Sequence, residues 1–96
     1  MKFKEVLKTA GVDSKLRIVF KADVGGDNLY TQLGSLCHKL NFNFEWLVLV
    51  RECVGKKGTW EGVPRTQDFT ITRMSGADRD MFAHIFGEIA ESIEVL

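Results

Sequence analysis

Hydrophobic positions in the first half of the chain change between helical and strand spacing. Residues 3–10 carry apolar side chains at helical spacing and are followed by Gly11, which predicts a short amphipathic helix. Over residues 16–20, three apolar residues alternate with Arg17 and Val19, which indicates a strand. An apolar stripe at helical spacing over residues 29–40 predicts a second helix that ends at Asn41.

The middle of the chain predicts a buried strand and a turn. Residues 42–46 alternate and then pass into the continuous apolar run Trp46–Val50, which is typical of a central strand covered on both faces. An edge strand covered by a second copy of the chain is the alternative. A turn is predicted at residues 55–58. The glycine-rich stretch up to Arg65 is then either an irregular loop or a hairpin with a short extra strand at residues 59–63.

The last third predicts one more strand and the clearest helix. Phe69 and Ile71 alternate with threonines, as in a strand with one polar face. Ser75 and Asp78 form a capping-box pattern, and apolar residues then recur at helical spacing from Phe82 to residue 93. This spacing predicts a final helix that extends to residue 93.

The predicted element order is α-β-α-β-β-α, which makes residues 1–96 a single α+β domain. We expect a three- to four-stranded, mixed or antiparallel sheet packed with helices. From the first strand onward, the βαββα order is that of a ferredoxin-like fold without its last strand.

Composition and charge restrict the function. The 96 residues are 45% hydrophobic and 27% charged, as in an ordinary globular domain, and the chain is too short to enclose a large cofactor easily. Thirteen basic and 13 acidic residues balance, so the basic excess of a dedicated DNA-binding protein is missing. We predict no cofactor.

The cysteines and the apolar runs bear on the compartment. Cys37 and Cys53 lie in apolar stretches without a CxxC pair, which favours two buried thiols in a reducing compartment over a disulfide framework. The N-terminal residues do not have the pattern of a signal peptide, and the run Trp46–Val50 is too short to cross a membrane. The expectation is a cytoplasmic protein.

The sequence gives little support for a catalytic site or a metal site. The histidines are His38 and His84, and neither is placed beside a nucleophile in the way that covalent catalysis requires. The histidines and cysteines also lack the close spacing of zinc ligands. We therefore predict a non-catalytic protein without a metal site. An enzyme subunit whose site forms only in an oligomer is a second alternative.

A set of basic and aromatic residues is the candidate interface, because Trp and Arg are enriched at the hot spots of protein interfaces. The candidate partner-binding residues are Trp60, Lys56, Lys57, Arg65, Arg51, Arg73 and Tyr30. Trp60 is either an exposed anchor or a lid folded onto the sheet.

The function predicted from this set is a small inhibitor or adaptor that occupies the surface of another protein, of the kind that phages and mobile elements often encode. The run Trp46–Val50 additionally suggests a homodimer. A nucleic-acid-binding accessory domain, which would hold a single strand or RNA with the basic loop around Trp60, is the alternative.

Overall fold

The computed structural model describes residues 5–7, 11, 13–36, 40–41, 43–72 and 75–96, and residues 5–7 are helical. The strands are β1 (Lys15–Phe20), β2 (Leu40–Asn41), β3 (Thr66–Ile71) and β4 (Ala90–Val95). The helices are α1 (Gly26–Leu36), α2 (Phe44–Leu49), a π-helix (Val50–Gly55) that continues α2, and α3 (Gly76–Ile89).

The strands form one antiparallel sheet in the order β2-β3-β1-β4. This confirms the α+β prediction and its upper count of four strands. The succession is βαββαβ, as in a ferredoxin-like arrangement, and the helical segment of α2 and the π-helix is inserted between β2 and β3. Asn41, which was predicted to end a helix, lies in β2 instead.

The core contains a cluster of aromatic rings around the end of β1. Phe20 is fully buried, and its ring centroid lies 5.4 Å from that of Trp46, 5.8 Å from that of Trp60 and 6.2 Å from that of Phe69. Trp46 also donates a hydrogen bond from Nε1 to the Pro64 carbonyl at 2.9 Å. Through this cluster, α2 and the loop after the π-helix pack against the central strands.

The run Trp46–Val50 is helical, so the prediction of a strand is wrong for residues 44–50, and residue 42 lies outside the described residues. The Asn43 side chain accepts a hydrogen bond from the Glu45 amide at 2.9 Å and so caps α2. The buried positions are Trp46, Leu47, Val50 and Val54. Their spacing places them on one side of a helix, whereas the predicted strand, covered on both faces, would also bury Val48 and Leu49, which are exposed.

The final helix is shorter than predicted, because the chain changes to a strand after Ile89. Ser75 and Asp78 form the capping box that begins α3, as expected. Ala90 has extended dihedral angles of −104° and 139°, and β4 then pairs with β1. Ile93 lies four positions after Ile89 and so imitates helical spacing, although it fills the core from β4, where it is opposite Ile18.

The outer face of the sheet carries a row of alternating charges. Arg17 on β1 is opposite Asp68 on β3 and Glu94 on β4. Arg17 donates hydrogen bonds from Nε to Asp68 Oδ1 at 2.9 Å and from Nη2 to Oδ2 at 3.1 Å. These bonds lower the pKa of Asp68 and raise the pKa of Arg17.

The lowered pKa of Asp68 predicts a pH dependence of stability. As pH falls from about 4 through the lowered pKa, the unfolded chain takes up a proton before the folded chain does, so the free energy of unfolding decreases. The effect is expected to be small, because the side chains of Arg17 and Asp68 are 45% and 36% exposed. In Arg17→Gln, the pKa of Asp68 should return toward its ordinary value, as followed by NMR titration of the carboxyl carbon. Equal pKa values in the two proteins would contradict the prediction.

Candidate protein-binding surface

Residues 44–57 form one continuous helical segment that begins at a cap and ends at a glycine. α2 passes directly into the π-helix, and residues 56–57 add a last piece of α-helix. Gly58 ends the segment with a positive φ of 70°, and its amide donates to the Val54 carbonyl at 3.1 Å. The turn predicted at residues 55–58 is therefore helical up to residue 57. Helices of π type are rare and frequently occur at functional sites.

The inner side of this segment is packed closely against the rest of the molecule. Val50 and Val54 are fully buried. A Cβ atom added to Gly25, immediately before α1, would lie only 3.2 Å from Val54 Cγ1. The space at position 25 is therefore too small for a larger side chain without a shift of Val54, so the residues before α1 pack closely on the helical segment.

The outer side carries the exposed apolar side chains of this segment. Phe44 is 63% exposed, Val48 is 57% exposed and Leu49 is 44% exposed. Their spacing places them on adjacent turns of the same helix. We call the exposed residues of the segment the helix surface; they are Phe44, Glu45, Val48, Leu49, Arg51, Glu52, Lys56 and Lys57.

Charged residues of both signs surround these apolar side chains. Lys56 Nζ lies 3.2 Å from Glu52 Oε1, an ion pair between consecutive turns. The Arg51 guanidinium carbon lies 5.6 Å from the centroid of the Tyr30 ring, in the geometry of a cation–π contact. Lys57 is exposed at the C-terminal end of the segment. The helix surface is therefore apolar near its N-terminal end and charged toward its C-terminal end.

The structure brings together four of the predicted interface residues and places Trp60 and Arg65 elsewhere. Arg51, Lys56 and Lys57 belong to the helix surface, and Tyr30 lies beside it on α1. Arg65 lies at the start of β3, where its Nη1 donates to the Phe20 carbonyl at 3.1 Å and lies 3.6 Å from Glu91. Arg73 lies outside the described residues.

Trp60 is a core residue, so the structure agrees with the alternative of a lid folded onto the sheet and not with that of an exposed anchor. Its side chain is 9% exposed and stacks on Phe20. Its Nε1 donates to the Val24 carbonyl at 3.0 Å. The loop alternative for residues 59–63 is confirmed, since no strand forms there. The chain folds Trp60 inward because both its ring and its single donor find partners there.

The buried aromatic residues also bear on nucleic-acid binding. A platform for bases needs exposed rings, but Trp60 is 9% exposed and Phe69 only 1%. Trp60, the aromatic residue of the predicted basic loop, is therefore not exposed for stacking with bases.

Side chains that could act in catalysis or bind a metal are scattered over the described part of the chain. His84 is exposed on α3 and lies 3.4 Å from Glu88, whereas His38 lies outside the described residues. Cys53 is a half-buried free thiol on the π-helix, and Cys37 is outside the described ranges. Among the residues described, no group of three metal-binding side chains lies together, and no helix is long and apolar enough to cross a bilayer.

A strand over residues 44–49, as the sequence analysis predicts, gives no indication of the apolar part of the helix surface. The signal that identifies it is the spacing of Trp46, Leu47, Val50 and Val54 after a possible Asn cap. Once these four residues are placed on the inner side of a helix, Phe44, Val48 and Leu49 must lie on other sides.

Comparisons with protein-family models, with curated proteins and with solved structures give no significant match for this chain.

Proposed function

We propose that this protein is a non-catalytic protein-binding module, an inhibitor or adaptor that acts in the cytoplasm by occupying the surface of a partner. The supporting observation is the helix surface, where Phe44, Val48 and Leu49 expose 63%, 57% and 44% of their area. Exposed apolar side chains at helical spacing are the anchors by which a helix binds in the groove of another protein.

The surroundings of these side chains support the same function. The opposite side of the helix is buried in the core through Val50 and Val54, and a helix packed in this way has less conformational entropy to lose on binding. The apolar residues are flanked by Arg51 and by the Glu52–Lys56 pair, and a charged rim around an apolar centre is typical of protein interfaces.

The proposal predicts that the helix surface is in contact with protein in the cell. A photo-crosslinking phenylalanine analogue at position 44 or 48 should form covalent adducts with protein that persist after nuclease treatment, as measured by mass spectrometry of the purified adducts. The same analogue at position 95 is the matched control, because Val95 is 44% exposed but lies on β4.

Two outcomes would contradict this function. Adducts with nucleic acid alone would favour the nucleic-acid-binding alternative. The absence of protein adducts at positions 44 and 48, or equal adducts at position 95, would show that the helix surface is not a specific interface. Circular dichroism of each variant confirms that the fold is retained.

A further inference from the structure

The helical segment of residues 44–57 contains a row of residues that is complementary to itself. Glu45, Leu49, Cys53 and Lys57 occur at every fourth position along the segment. Glu45 and Lys57 are exposed, Leu49 is 44% exposed and Cys53 is half-buried. The row therefore has an acidic start, an apolar middle and a basic end.

The change from α-helix to π-helix keeps this row along the axis. In an α-helix, four residues exceed a turn of 3.6 residues, so positions spaced by four drift steadily around the helix. A π-helix has more residues in each turn, and the same positions drift in the opposite direction. Because Leu49 ends α2 and Cys53 lies in the π-helix, the two drifts offset each other.

The charges at the ends of the row have no partner within the part of the chain that the structure describes. No other described side chain forms an ion pair with the carboxylate of Glu45 or the ammonium of Lys57. About three helical turns separate these two residues, so they cannot pair with each other in one molecule. By contrast, Lys56 is paired with Glu52 at 3.2 Å.

We propose that a second copy of this chain packs on the row in antiparallel orientation, with Glu45 of each copy beside Lys57 of the other. An antiparallel helix presents its own row in reverse order, so acidic ends meet basic ends and Leu49 packs against Cys53 of the second copy. One twofold axis relates the two copies, so the same Glu45–Lys57 pair forms at both ends of the interface, as in a closed dimer. The helix dipoles are also antiparallel in this arrangement, which is favourable.

The balance of charges over the whole chain favours the same occupant. With 13 basic and 13 acidic residues, two copies have no net repulsion to overcome. The inference rests on one part of the proposed function, that the helix surface binds protein, and it names a second copy of the chain as the protein bound there.

The test is charge reversal at the two ends of the row, followed by sedimentation equilibrium over a wide concentration range. We expect the wild type to dimerise, and Glu45→Lys or Lys57→Glu alone to weaken dimerisation by about tenfold, since each places two like-charged pairs in the dimer. The double variant Glu45→Lys, Lys57→Glu exchanges the charges and should restore the wild-type dissociation constant. Both positions changed in the test are on the surface, and circular dichroism checks the fold.

A second pair of variants tests the apolar middle of the row. Leu49→Ser should weaken dimerisation by about tenfold or more, whereas Val95→Ser should leave it unchanged. The two residues are matched controls, because each is 44% exposed.

Three results would overturn the inference: a wild type that is monomeric at every concentration, a double variant as weak as the single ones, or an equal effect of Leu49→Ser and Val95→Ser. The adducts formed from positions 44 and 48 distinguish a failure of the dimer from a failure of the protein-binding function. Adducts with a different protein, together with a monomeric chain, would overturn the dimer and leave the protein-binding function in place.

Discussion

Replacement of Phe20 by alanine is expected to lower the free energy of unfolding by about 3–5 kcal/mol, which is the range for removal of a buried aromatic ring. Phe20 is fully buried, and its ring lies within 6.2 Å, centroid to centroid, of Trp46, Trp60 and Phe69. The cavity would separate β1 from both the helical segment and the loop. A loss of this size is a large share of the stability of a small domain.

Urea denaturation followed by circular dichroism measures this change. Phe44→Ala removes the same ring from a position that is 63% exposed, so it is the matched control and should cost about 1 kcal/mol or less. Equal losses in the two variants would contradict the placement of Phe20 at the centre of the core. Both variants are measured at low protein concentration, so that self-association does not contribute to the free energies of unfolding.

Replacement of Trp60 should also destabilise the fold, which separates its role in the core from a role in binding. Trp60→Ala is expected to cost about 3–4 kcal/mol, because the variant loses the buried ring beside Phe20. Trp60→Phe retains an aromatic ring but leaves the Val24 carbonyl without its donor, so about 1–2 kcal/mol is expected.

Acrylamide quenching of fluorescence in a Trp46→Phe background reports on Trp60 alone. We expect weak quenching in the folded protein and strong quenching after unfolding, because Trp60 is 9% exposed. Strong quenching in the folded state, or a Trp60→Ala variant as stable as the wild type, would show that Trp60 is exposed on the surface. Any loss of binding caused by Trp60→Ala would then have to be attributed to contact with a partner.

The contrast between Trp60 and the helix surface explains why the candidate interface could be predicted only in part. Lys56, Lys57 and Arg51 were recognised, because charged side chains stay on the surface in almost any fold. An isolated aromatic residue between glycines has no periodicity that distinguishes a surface anchor from a core residue. Its burial depends on Val24 and Phe20, which are distant in the sequence and come close only in the folded chain.

The sequence by itself determined the features that depend on local pattern. The alternation in β1, the apolar stripe in α1 and the capping box of α3 each predict an element that the structure contains. The fold class follows from the order of these elements and from the composition of a small globular domain. Such features are predictable because spacing and capping act between residues that are close in the chain.

Only the tertiary structure decided the conformation of residues 44–57 and of residues 90–95. The apolar run Trp46–Val50 by itself suits a strand as well as a helix, and contacts with Phe20 and α1 select the helix that the Asn43 cap begins. The spacing of Ile93 from Ile89 fits a helix. Residues 90–95 form a strand instead, because they pair with the edge of β1 that β3 leaves unpaired. These choices rest on free energy from contacts between distant residues, which local sequence does not contain.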